Sequence, residues 1–191
     1  MAKLFEVHFE DRLGLDGLIK DFPVATRRAL TRTANSCRTE ASRVIRQTWN
    51  IKKADIDPAI AVEVKTDILR AIVRATGRRF PLTYFITGIF KKGGFSFQIK
   101  KGSPKTIIRD AFLVKGRYGF RIMTRTGKMR LPIEEKYSIS IAEMFGSKIV
   151  EAAIIKKAEE TFPKELDHQI DAITKGYAPT TKGEGGGTVG G

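Results

Sequence analysis

The sequence predicts an α+β domain, with a long N-terminal helix and a kinked C-terminal helix packed on a basic antiparallel β-sheet. Three observations predict it. Residues 24–48 contain neither glycine nor proline, and apolar side chains recur there every three or four positions. The same spacing returns in residues 147–175. Between the two, residues 68–136 alternate apolar with polar side chains and are cut repeatedly by glycine-bearing turns. With 191 residues the chain is long enough to bury a core of its own. It divides into a lead-in (1–22), a helical part (23–67), a basic β region (68–136) and a second helical part (137–176). Together these make one domain, 1–176, followed by a glycine-rich tail, 177–191, with no means of building a core.

Residues 3–9 set Leu4, Glu6 and His8 against Phe5, Val7 and Phe9, a short strand with one apolar face. Asp21 and Pro23 then suit a helix start, since proline is preorganised for the first turn and an acid complements the positive helix end. Leu30, Ala34, Cys37, Ala41 and Val44 form one narrow stripe, extended by Thr48 and fit for close packing against another element. Arg28, Arg32, Arg43 and Arg46 project roughly opposite it, and Arg27 and Arg38 share one flank. Residues 52–58 read as a connector.

In the middle region, residues 69–75 alternate and end before Gly77, and residues 81–90 are apolar, β-branched or aromatic. Lys92-Gly93-Gly94 turns the chain into residues 95–100. Residues 111–115 and 118–125 form two more strands joined at Gly116-Arg117, with a further turn at Thr126-Gly127 and a stop at Pro132. In the last helix Ile155, Ala158, Phe162, Leu166, Ile170 and Ile173 make the apolar side. Pro163 is expected to kink or split it, and Gly176 to end it.

The formal charge of +14 is unevenly spread. Residues 1–67 hold 12 basic and 10 acidic side chains, residues 68–136 hold 17 and 3, and residues 137–191 hold 6 and 8. The middle third therefore carries the excess, and such a patch attracts nucleic acid or acidic protein. Arg70, Arg74, Arg78, Arg79, Lys100, Lys101, Arg121 and Arg125 are the candidate contacts. Aromatic residues are interleaved with them (Phe80, Tyr84, Phe85, Tyr118 and Phe120), although Phe95 and Phe97 share a strand face that suits a core.

Chemistry has few footholds. His8 and His168 belong to no metal-ligand spacing, and Cys37, the one cysteine, lies in the apolar stripe as a packing residue. Lys101-Gly102-Ser103-Pro104-Lys105 lacks the Gly-Lys-Ser/Thr ending of a phosphate loop and reads as a surface turn. Glu134 and Glu135 are adjacent, so their carboxylates point apart. No active site, metal or cofactor is expected. No apolar run approaches the roughly 20 residues of a membrane span, so no membrane contact is expected either.

Residues 29–36 (Ala-Leu-Thr-Arg-Thr-Ala-Asn-Ser), running into Arg38-Thr39-Glu40-Ala41-Ser42-Arg43, resemble the N-terminal helix of the minor tail protein Z family of tailed bacteriophages. The order of later motifs is similar too: Phe80-Pro81-Leu82, Ala111-Phe112, Arg125-Thr126-Gly127-Lys128, Arg130-Leu131-Pro132-Ile133 and Phe162-Pro163-Lys164-Glu165-Leu166. The resemblance spans residues 21–175 and implies a structural virion protein acting in tail completion at the head–tail junction, or neck. It implies host cytoplasm during assembly and the virion afterwards. Its implied partners are other copies of the chain in a ring (sixfold if it follows the tail), other tail or neck proteins, and non-specific contact with genomic DNA. It implies no catalytic residue. The alternative is a stand-alone basic nucleic-acid-binding protein.

Overall fold

The computed structural model describes residues 5–9, 22–90, 94–117, 119–127 and 129–174. Helix α1, Phe22–Thr48, follows from the unbroken run noted above, with Pro23 in its first turn. Its buried face is broader than one stripe. Leu30, Ala34, Cys37, Ala41 and Val44 are all buried, and Ala25, Thr26, Ala29 and Thr33 widen the face on one side while Ser42 and Ile45 widen it on the other. The face is broad because α1 has two neighbours.

One neighbour is the last helix, Lys148–Thr174 (α4 in chain order, after α2 at Lys53–Ile56 and α3 at Ile141–Phe145). The Cys37 thiol lies 3.7 Å from the Ile154 carbonyl, and Arg32 pairs with Glu165 at 3.0 Å. As α1 runs backwards α4 runs forwards, so the two are antiparallel. The other neighbour is a sheet of β1 (Phe5–Phe9), β2 (Ile60–Lys65) and β3 (Arg70–Ala75) in the order β1-β3-β2. Every pairing in it is antiparallel, with Val7 and Val62 both opposite Val73. Ala71, Val73 and Ala75 join the same core as Ala34, Cys37 and Ala41. Small side chains on both sides let helix and sheet approach closely, and close packing gives the largest dispersion gain per contact.

The remaining strands are β4 (Arg79–Pro81), β5 (Ile86–Ile89), β6 (Phe95–Phe97), β7 (Thr106–Ile108), β8 (Phe112–Gly116), β9 (Gly119–Arg125), β10 (Ile133–Glu135) and β11 (Tyr137–Ser140). The middle region does not form the one basic sheet that the alternation predicts. It breaks into β5-β6-β7, β10-β9-β8 and the pair β11-β4, all antiparallel. The reason is length: most of these strands have three to five residues, and a 3-10 turn at Leu82–Phe85 interrupts the apolar run 81–90. Phe95 and Phe97 are buried, as their shared face suggests, and Ser96 between them is buried too.

Three expectations need correction. Residues 60–65 are a strand, not part of a helical 23–67, and their alternation of Ile60, Val62 and Val64 carries that signal. Residues 137–140 are likewise a strand, leading into α3 through a capping box in which Ser140 and Glu143 bond each other's backbone N–H. Helix α4 runs unbroken through Pro163. That proline is exposed, where water can satisfy the carbonyl left without a donor. One member of the α4 stripe is misplaced, since Ile154 is buried and Ile155 is 43% exposed, while Ala158 and Leu166 are buried as expected. The end at Gly176 and the tail 177–191 lie outside the described residues, as do residues 91–93 of the first turn and Tyr118.

Candidate functional site

The eight basic candidates of the middle region are spread over several elements. Arg70 and Arg74 lie on β3, Arg78 and Arg79 follow it, Lys100 and Lys101 follow β6, and Arg121 and Arg125 lie on β9 in a different sheet. Several are already engaged. Arg74 pairs with Glu63, Arg79 with Glu143 at 2.9 Å, and Arg121 with Glu135 at 2.9 Å. The Arg125 guanidinium stands 4.8 Å above the Phe112 ring. Arg78 and Lys100 are exposed. A charge count along the chain registers none of this, because the partners come from other elements.

Lys101 is the exception that meets a second basic feature. Residues 98–101 are strapped to the end of α1: Lys101 N–H donates to the Thr48 carbonyl at 2.8 Å, and its ammonium reaches the Arg46 carbonyl at 2.5 Å. Helix α1 itself carries six arginines and one acid, Glu40. The tally for residues 1–67 hides this, because the lead-in contributes Glu6, Glu10, Asp11, Asp16 and Asp21. Counting by element instead of by third would have revealed it.

Two clefts open along the outward flank of α1. One, of about 380 Å³, is lined by Arg27, Arg28, Thr31, Arg32, Val64 and Thr66. The other, of about 270 Å³, includes Asn35, Arg38, Arg46, Lys53 and Asp57. Arg38 donates to the Asp57 carbonyl at 2.8 Å and Arg46 to the Ser42 carbonyl at 3.3 Å. These bonds fix the guanidiniums in place without neutralising them. Arg43 is held by Glu40, whose carboxyl that bond keeps below the usual range.

A second surface is apolar. Leu113 on β8 and Phe120 on β9 are exposed on one face of the sheet, while Ile133 on β10 is exposed on the opposite face, and Met129 and Leu131 are exposed in the loop between β9 and β10. Met129 is 77% and Leu131 68% exposed. Ile122 alone in the described part of this sheet is fully buried, and it belongs to the main core.

Cys37 is buried without solvent contact, and burial pushes its thiol up to about 11. It is therefore a protonated packing residue at neutral pH. Tyr84 is pushed up to about 12, first by burial and then by the Asp55 carboxylate that accepts its hydroxyl proton. His168 is exposed, and the 101–105 segment is an exposed turn with Gly102 at positive φ. Glu134 pairs with Lys136 at 3.4 Å while Glu135 takes Arg121, so the two acids do point apart. Among the described residues no group of three His, Cys, Asp or Glu side chains could hold a metal ion, and no helix is long and apolar enough to cross a membrane.

No family model matches the chain, and no solved structure does. It is similar to an uncharacterized protein of Methanocaldococcus jannaschii, with 36% identity over 81 residues. That stretch is 41% of this chain but spans only 12% of the archaeal protein.

Proposed function

We propose that this chain is a structural protein of a tailed-bacteriophage particle, a minor tail or tail-completion protein at the head–tail junction. It works by assembling with copies of itself and with other tail or neck proteins. The motif order resembling the minor tail protein Z family supports this reading, and the observation that carries it is the set of exposed apolar side chains on β8, β9 and the loop after β9: Leu113, Phe120, Met129 and Leu131. Exposed apolar side chains of this size favour a partner that removes them from water, at roughly 25 cal/mol for each Å² covered.

Charge selects the geometry of that contact. Lys115 and Glu134 share the face of Leu113 and Phe120, and Arg117 and Arg130 are exposed in the adjoining loops, so the patch is net positive and two identical copies of it would repel each other. The outward face of α4 is of mixed sign, with Glu159, Asp167 and Asp171 beside Lys156 and Lys164 and with Glu160 paired to Lys156 at 4.0 Å, so it can pair with a basic surface without matching it in sign. A contact between unlike surfaces is head-to-tail, and it closes into a ring when its rotation divides the circle.

Sizing by analytical ultracentrifugation tests this. The wild type should form a closed oligomer, and Phe120→Ser with Leu131→Ser should return it to a monomer with an unchanged fold. Particles assembled without the chain should accumulate as separate heads and tails in negative-stain images. A wild type that stays monomeric, together with normal particles in its absence, would overturn the reading. The stand-alone nucleic-acid-binding alternative is favoured by one feature, the arginine flank of α1, and it requires a monomer that coats DNA.

A further inference from the structure

We propose that the outward flank of α1 is a sequence-independent binding site for the phosphate backbone of double-stranded DNA. The inference does not depend on the assembly reading, and it moves the expected nucleic-acid contact from the middle third of the chain to its first long helix.

The spacing comes first. Arg27 and Arg38 are 11 residues apart, about three turns, and Arg28 and Arg46 are 18 apart, about five turns, so the two pairs form adjacent rows on one side of α1. The two clefts they line are therefore arranged end to end, about 16 Å apart at 1.5 Å per residue. Duplex DNA carries a charge every 1.7 Å or so of its axis, so phosphates are available to both clefts together.

Charge comes second. Arg27 and Arg28 make no ion pair among the described residues, while Arg38 and Arg46 are tied only to neutral carbonyls. Lys101 joins the same end of the helix through the Arg46 carbonyl. Two carboxylates beside the flank are committed: Glu165 to Arg32 at 3.0 Å, and Asp57 to the Ser42 hydroxyl at 3.1 Å and Lys53 at 3.8 Å. The flank thus holds several fixed, uncompensated guanidiniums, the group whose fork matches phosphate geometry.

The rest of the lining decides between occupants. Apart from Val64 the clefts are walled by polar and charged residues. A protein partner needs an apolar centre to its contact, which this flank lacks. Single-stranded nucleic acid is gripped by stacking its bases on aromatic rings, and neither cleft has one. A duplex backbone asks only for positioned positive charge.

The test is fluorescence anisotropy of the full chain on a short duplex of arbitrary sequence, repeated across a salt series. Replacing Arg27, Arg28, Arg38 and Arg46 with alanine should lower the log–log salt slope by about 0.9 per lost phosphate contact, so by roughly 3 to 4 in all. A control that removes four charges elsewhere, with Arg78, Lys115, Arg109 and Arg130 replaced by alanine, should leave the slope nearly unchanged. Equal losses in both variants would show that only net charge matters, and the proposal would fall. A flank variant that binds like the wild type would also overturn it, as would a wild type that ignores DNA but binds polyglutamate. Should the fourfold variant melt early, Arg27→Ala with Arg28→Ala carries the test, since Arg27 is exposed, Arg28 half-buried, and neither pairs with a described acid. That pair should still lower the slope by roughly 2.

Discussion

The layer formed by α1, α4 and β3 and the sheet formed by β8, β9 and β10 use similar residues and bury them to opposite degrees. In the layer, Ala34, Cys37, Ala41, Ile45, Val73 and Ile154 have no measurable exposure. In the sheet, Ile122 is equally hidden, yet Phe120, two residues away on the same strand face, is 57% exposed. Alternation tells which side chains share a face, and it does not tell whether anything lies against that face. The layer is covered because helix meets helix and sheet on two sides. The sheet joins the core through Ile122, half-buries Phe112, Val114 and Met123, and leaves Leu113, Phe120 and Ile133 to solvent or to a partner.

The largest effect expected from this contrast is on folding stability. Ile45→Ala should cost about 2–5 kcal/mol by leaving a cavity in the layer, whereas Phe120→Ala should cost the monomer less than about 1 kcal/mol. Urea denaturation of the two variants checks it, and equal losses would mean that the sheet belongs to the monomer's own core. Next comes pH. The Cys37 thiol ordinarily titrates near 9.0, and in the fold it is raised to about 11. The folded state then holds the proton more tightly, so its contribution is complete below pH 9 and is lost as pH rises towards 11. The loss should reach roughly 3 kcal/mol. Alkaline melts of the wild type against Cys37→Ala should diverge in that window, and a native thiol that reacts with a labelling reagent as fast as the unfolded one would contradict the burial. The smallest effect belongs to the sheet. Arg125→Ala removes only the guanidinium above Phe112, worth about 0.5–1 kcal/mol at an exposed site, and should shift the melting temperature by a few degrees at most.

Much of the fold is legible in the residues. The span of α1, the strand at 5–9, the β8–β9 hairpin and the helix after residue 147 all follow from periodicity and turn residues. The strand at 60–65 was legible as well, in its β-branched alternation, and is obscured by the longer helical pattern before it. The candidate site is less so. The helix-packing stripe is buried as its spacing implies, while the basic residues of 68–136 prove to be scattered over separate sheets and partly neutralised by Glu63, Glu143 and Glu135.

Local sequence determined what repeats within a few residues: helix periodicity, strand alternation, the capping box at Ser140, and the small side chains along α1. These depend on backbone geometry that each segment carries with it. Only the tertiary structure decided that Ile154 and not Ile155 turns inward, that the buried face of α1 is broader than its stripe, and that its arginine flank stands uncompensated while Arg74 and Arg121 do not. Those outcomes depend on which distant elements come to lie alongside. Burial and ion pairing are set by neighbours in space, and a periodic pattern marks a face without naming its neighbour.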